Sequence, residues 1–287
     1  MPPRERVTTR TSLTESPPVR LRAAPTSSVG PLDLAAVTSA LAAVGCVAAD
    51  EEAEELVAVA ADDARLRQLL ERRLTGEPLA WVTGSATFCG LTVGVEPGVY
   101  VPRWQSEPMV RVAVHRLPPS GIAVDLCTGS GALGLVLQAA RPAARVIGTE
   151  LDPVATACAR LNGLEVVDGD LDEGLPDELA GRVDVMIGVL PYVPDDALHL
   201  LPRDVQAFES RLALDGGAGG LSLVARAVER SPRWLRRGGW LLLEIGGDQV
   251  PAVTAMLAGS GYRRIEVLDD EDGDPRAVMA CLGADAG

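Results

Sequence analysis

One stretch, residues 122–150, IAVDLCTGSGALGLVLQAARPAARVIGTE, limits what this chain can fold into more than any other. An apolar run ends in Asp125, a turn carries Gly129, Gly131 and Gly134, an Ala/Leu-rich segment follows, and a second apolar run ends in Glu150. This is the pattern of one βαβ unit with a ligand gap at its carboxyl edge. Glycines in such a turn let backbone N–H groups approach a ligand closely, and an acidic residue after the second strand accepts hydrogen bonds from ribose hydroxyls. The unit therefore predicts a nucleoside site.

Charge and cysteine usage narrow the partners. With 40 acidic against 26 basic residues the formal net charge is −14, which repels polyphosphate and argues against nucleic acid as a partner. Five cysteines are scattered with no C-x-x-C pair, as expected of reduced thiols in a cytoplasmic protein, and no metal site is read from them. Apolar runs stay below the ~18 residues of a spanning helix, so no membrane partner is expected. The 47% hydrophobic residues are enough for a sizeable core.

Taken in order, residues 1–30 are rich in Pro, Ser, Thr and Arg and read as a disordered tail. Helical spacing follows over 31–78, with Leu34, Val37, Leu41 and Val44 as one stripe and Asp50 as the expected cap of a second helix. Alternation in ATFCGLTVGV makes 79–100 a β-hairpin linker. The loop VYVPRWQSE gathers Tyr100, Arg103, Trp104, Gln105, Ser106 and Glu107 ahead of a helix. Beyond the βαβ unit, strands are predicted at 164–167, 183–189, 240–245, 265–268 and 277–282. Only DDEDGDPR separates the last two, and so short a link forces them antiparallel. The expected architecture is α/β, seven strands in a Rossmann-like sheet over 101–287, behind a small helical domain.

GSGALG satisfies the dinucleotide pattern G-x-G-x-x-G, yet two features favour another ligand. Asp125 places a carboxylate at the strand end, where a pyrophosphate gains nothing but an ammonium gains a charge-assisted bond. The terminal antiparallel pair also departs from a dinucleotide sheet. Both fit S-adenosylmethionine, with its cationic amine and sulfonium. Glu150 is then expected at the ribose, and Asp170, after the third strand, at the adenine.

The segments RRLTGEPLAWVTGSATFCGLTV, PGVYVPRWQSEPMV, DLCTGSGALGL, LPYVP, LALDGGAGGLSLV and LLLEIG together resemble the HemK/PrmC type of protein-glutamine N5-methyltransferase, and more closely its actinobacterial branch. The resemblance covers nearly everything after residue 30. It implies a class I methyltransferase domain, S-adenosylmethionine as cofactor and S-adenosylhomocysteine as product. The cofactor is expected at Asp125, Thr128, Gly129, Ser130, Gly131, Glu150, Leu151, Asp170 and Leu171. The acceptor is expected at Tyr100, Arg103, Trp104, Glu107 and Tyr192.

One departure bears on the acceptor. The family's fourth strand ends in Asn-Pro-Pro-Tyr or Asn-x-Pro-Tyr, whose Asn accepts a hydrogen bond from the substrate amide. Here the catalytic segment reads Val189, Leu190, Pro191, Tyr192, and valine offers no side-chain acceptor. The expected activity is methylation of a small molecule or peptide in specialised metabolism. Alternatives are retained methylation of a glutamine in a release factor or similar protein, and an inactive relative that only binds the cofactor.

Overall fold

The computed structural model describes residues 33–270 and 272–283; the expected tail, 1–30, lies outside them. Helices α1 (Leu34–Ala43), α2 (Ala49–Val59), α3 (Asp63–Leu74) and α4 (Leu79–Thr83) come first. Asp33 and Asp62 cap α1 and α3, accepting from the backbone N–H of Ala36 at 2.8 Å and of Arg65 at 2.7 Å. Val37, Leu41, Leu56, Leu66, Leu69 and Val82 bury one shared cluster between these helices. Two expectations fail here. Leu34 and Val44 are exposed, because only Val37 and Leu41 of that stripe point at α2 and α3. Asp50 caps nothing: α2 starts one residue earlier, leaving Asp50 in its first turn, where a carboxylate suits the helix dipole.

Strands β1 (Ser85–Phe88) and β2 (Leu91–Gly94) form the expected antiparallel hairpin, though α4 precedes it where the linker was expected to begin. After α5 (Glu107–Arg116) the chain runs β3 (Ile122–Leu126), α6 (Ala132–Ala140), β4 (Arg145–Glu150), α7 (Pro153–Leu161), β5 (Glu165–Asp168) and β6 (Val183–Gly188). Short α8 (Arg203–Phe208) and α9 (Arg211–Leu214) lead to α10 (Ser222–Arg230), β7 (Leu235–Glu244), α11 (Val250–Gly259), β8 (Tyr262–Asp269) and β9 (Pro275–Leu282).

Among the described residues these strands form a seven-stranded sheet, β5-β4-β3-β6-β7-β9-β8. Strands β3 to β7 pair in parallel, and β9 is antiparallel to both β7 and β8, as the short link requires. Successive side chains serve opposite faces: Leu241 and Leu243 of β7 pack on one side of the sheet, Trp240 and Leu242 on the other. Winding reverses between β3 and β6, and the crevice outside the carboxyl ends at such a switch point is where ligands bind in open α/β sheets.

The hairpin is fastened to this sheet by Asn162 at the end of α7. Its side chain accepts from Gly94 N–H at 3.0 Å and donates to the Gly94 and Ser130 carbonyls, both at 2.8 Å. Asn162→Ala strands these groups, and losing partners for buried donors and acceptors costs about 1–3 kcal/mol. Chemical denaturation is expected to show a loss of that size; an unchanged midpoint would mean that the clamp contributes nothing.

Candidate active site

A cavity of about 620 Å³ opens at the carboxyl ends of β3, β4, β6 and β7, within the size range of small-molecule sites. Carboxylates that terminate strands shape one end of it. Asp125, almost wholly buried, accepts from the Thr128 hydroxyl at 2.5 Å and the Gly134 N–H at 2.9 Å. Burial raises its carboxyl to about 7, against the lowering effect of those two bonds. Gly134 has no room for a side chain, because a Cβ would lie 2.8 Å from Leu164 and 3.2 Å from Asp125. The third glycine of the turn thus serves the carboxylate directly.

Glu150 is held by three backbone donors, Gly129, Leu151 and Asp152, each at 2.9 Å. Burial nevertheless raises its pKa. Asp152 both lines the cavity and caps α7, accepting from Val154 N–H at 2.8 Å. Cys127 and Leu171, both in the wall, adopt positive φ of 51° and 59°, a conformation that costs a side-chain-bearing residue about 1–3 kcal/mol. The Cys127 thiol is pushed far up by burial and then by the Glu150 and Asp125 charges, which makes it a poor nucleophile.

Opposite, the strand exit Val189–Leu190–Pro191–Tyr192 forms a largely apolar wall. Its path is fixed from outside. Gln249 donates to the Tyr192 and Gly219 carbonyls at 2.9 and 3.0 Å, and Gly216 N–H donates to Val193 O at 2.9 Å. A Cβ on Gly216 would meet Pro191 O at 2.6 Å, so the DGGAGG loop packs where only glycine fits. Glu244 ends β7 beside this wall and accepts from Ser106 Oγ at 2.5 Å and Tyr192 OH at 3.1 Å. Burial raises the pKa of Glu244 and that of Tyr192, while the Tyr100 phenol is pushed up to about 12, by burial first and the Glu244 charge next. Arg103 lies over the Tyr100 ring at 5.4 Å and pairs with Glu209.

Of the residues expected from sequence, Asp125, Thr128, Gly129, Ser130, Glu150, Leu151, Asp170 and Leu171 line the cavity, as do Tyr100, Arg103, Val189, Leu190, Pro191 and Tyr192. Three do not. Gly131 sits behind the turn, packed on Ala159 and Leu164. Trp104 is 55% exposed, turned outward by a single 3-10 turn, Trp104–Ser106, which sends Gln105 and Ser106 inward instead. Glu107 faces the hairpin, accepting from Cys89 N–H at 2.8 Å and pairing with Arg111 at 2.5 Å. Asp170 already pairs with Arg226 at 2.9 Å.

Comparison with known proteins gives this cavity its family. No family model matches the chain. The release factor glutamine methyltransferase of Geobacter sulfurreducens is 34% identical over 226 residues, spanning 77% of this chain and 78% of that protein. This chain belongs to the HemK/PrmC family of S-adenosylmethionine-dependent methyltransferases. A second relative is the 4-amino-L-phenylalanine/4-methylamino-L-phenylalanine methyltransferase of Streptomyces pristinaespiralis, 37% identical over 209 residues and covering 69% of this chain and 70% of that one. Among solved structures, a Pyrococcus furiosus methyltransferase matches with a TM-score of 0.50 at 18% identity, over 68% of this chain and 91% of that one, which shows a shared fold.

Sequence reading placed Gln105 and Ser106 in the loop beside the expected methyl donor without naming them as site residues, and gave no role in this HemK/PrmC cavity to Arg226, Glu244 or Gln249. For Glu244 a signal was present: LLLE ends an apolar strand in a carboxylate, as AVD and GTE do at Asp125 and Glu150. For the others the partners lie too far off in sequence to be paired by spacing. Glu150→Gln turns an acceptor oxygen into a donor facing backbone N–H groups. The expected cost is about 1–3 kcal/mol of stability by urea denaturation, with faster hydrogen exchange at Gly129; unchanged exchange would refute the three-donor anchor.

Proposed function

We propose that the chain methylates a small-molecule or peptide acceptor in specialised metabolism, and that the side chain of Val189 removes glutamine from its range. The observation that carries this reading is Val189 in the cavity wall, with Leu190 and Pro191: none of these three side chains accepts a hydrogen bond from an amide N–H. The Streptomyces pristinaespiralis relative, named for an amino acid acceptor, supports it from outside.

The donor set of the nucleoside end fits S-adenosylmethionine. Among the described residues neither Asp125 nor Glu150 is in an ion pair, so two buried carboxylates are available to a cationic amine and to ribose hydroxyls. In this reading Asp125, Thr128, Gly129 and Ser130 take the amino acid end, Glu150 and Leu151 the ribose, and Asp170 and Leu171 the adenine. S-adenosylmethionine supplies a methyl group on a positively charged sulfur, so the protein's task is alignment and exclusion of water. Tyr100, Arg103 and Tyr192 border the acceptor. In this reading the domains are 31–78, the linker 79–100 and the catalytic part 101–287, and the linker borders the cavity through Gly98, Val99 and Tyr100; Trp81 donates to Val99 O at 2.9 Å and its ring meets Phe208, next to Glu209, at 6.3 Å. The five cysteines, free in the structure, suit a reducing cytoplasm. No helix among the described residues is long and apolar enough to cross a membrane, and none of their His, Cys, Asp or Glu cluster as a metal site.

Identity to the Geobacter sulfurreducens protein favours a second reading, methylation of a glutamine in a release factor. Val189→Asn separates the two. If the missing acceptor is worth about 1–3 kcal/mol, the variant gains roughly one to two decades of methyl transfer to a Gly-Gly-Gln-bearing protein over the native chain. Full activity of the native chain on that protein would establish the second reading, and no transfer to any acceptor would leave a protein that only binds the cofactor.

Cofactor affinity is expected to follow Asp125. An ammonium pairs with the ionised carboxylate, so affinity is complete above the Asp125 pKa of about 7 and falls as the pH drops below it. Calorimetric titrations between pH 5.5 and 7.5, at roughly one decade per unit on the acid side, check this. Affinity independent of pH, or an equal pH dependence in Asp125→Asn, would remove Asp125 from the role.

A further inference from the structure

We infer that the methyl acceptor is an amine and that Glu244 is the residue that seats it; this rests on the small-molecule reading and names its substrate class. The charges of the cavity carry the argument. Three arginines line it, and each is already matched: Arg103 with Glu209, Arg226 with Asp170 at 2.9 Å and Arg276 with Asp270 at 2.7 Å. Two buried carboxylates without an arginine, Asp125 and Glu150, belong to the nucleoside end. Glu244 is the other: buried and in no ion pair among the described residues, with Arg276 near enough for its charge to act on it but paired with Asp270.

Its position is that of an acceptor-binding group. In the parallel register Gly188 of β6 lies abreast Leu243 of β7, so Val189, the first residue past β6, follows beside Glu244, the last of β7 and still paired with Ala277 of β9. Ser106 Oγ donates to one carboxylate oxygen at 2.5 Å and Tyr192 OH to the other at 3.1 Å. Each oxygen keeps a lone pair, and both bonds hold the group rigid. A ligand bound here must bring donors. A carboxylate or phenolate is repelled, an alcohol offers one neutral donor, and an ammonium offers several charge-assisted ones.

The same group answers the chemical need. An ammonium nitrogen has no lone pair to react, so one proton passes from nitrogen to the Glu244 carboxylate, whose burial raises its affinity for it. The freed lone pair forms the new C–N bond as the methyl–sulfur bond breaks with its electron pair left on sulfur, and the product is a methylated ammonium.

The test uses the full chain, methyl-labelled S-adenosylmethionine, and four probes: phenethylamine, 4-amino-L-phenylalanine, phenethyl alcohol and a Gly-Gly-Gln-bearing protein. Label is expected on an amine. Glu244→Gln is expected to lower kcat/KM for that amine about 100-fold or more with cofactor binding unchanged, and Glu244→Asp to recover part of it. Calorimetry gives a readout apart from turnover: phenethylamine binds the S-adenosylhomocysteine-loaded chain, whereas phenethyl alcohol does not, and the heat is lost in Glu244→Gln. Should that variant fail to fold, Ser106→Ala with Tyr192→Phe removes the donors that fix Glu244, and the same loss of amine binding is expected. Label on the alcohol and not on amines overturns the inference but keeps the small-molecule reading. Label on the Gly-Gly-Gln protein alone, or on no probe with cofactor bound, overturns both. Undiminished amine transfer in Glu244→Gln overturns the role of Glu244.

Discussion

Burying a carboxylate costs several kcal/mol unless hydrogen-bond donors meet it, and this chain does so at the ends of three parallel strands. Asp125, Glu150 and Glu244 each finish an apolar run, and each is met by donors from elsewhere in the fold. The turn after β3 is bent to deliver Gly134 N–H to Asp125, and the turn after β4 folds back so that Leu151 and Asp152 reach Glu150. Satisfying these anions therefore sets the loop shapes, and the loop shapes make the cavity.

The acceptor side obeys a different constraint. Val189, Leu190 and Pro191 contribute apolar surface, and polar groups hold that surface in place from behind through Gln249 and the glycine loop that carries Gly216 and Gly220. Gln249 and the glycine loop thus fix the backbone path of this wall, and Val189 contributes an apolar side chain to it.

Segments far apart in sequence close the space. Arg103 pairs with Glu209 across the cavity mouth, Phe208 packs on Trp81, and Ser106 reaches Glu244. Residues from before, within and after the parallel strands therefore meet around the site.

Much of this was legible in the sequence. The βαβ unit, the antiparallel ending forced by a short link, the hairpin in ATFCGLTVGV and the strand-end carboxylates follow from periodicity, turn chemistry and chain length, all local properties. The sequence thus determined the sheet, the glycine turn and the identity of residue 189. Tertiary structure alone decided that Gln105 and Ser106 face inward while Trp104 faces solvent, that Glu107 serves the hairpin, and that Gly131 backs the turn. It also brought Glu244 to Tyr192 and matched each arginine of the cavity with its carboxylate. The physical reason is the same in each case: spacing along a chain fixes which side of a strand or helix a residue occupies, but a loop side chain takes its direction from distant partners, as Ser106 does from Glu244, 138 residues away.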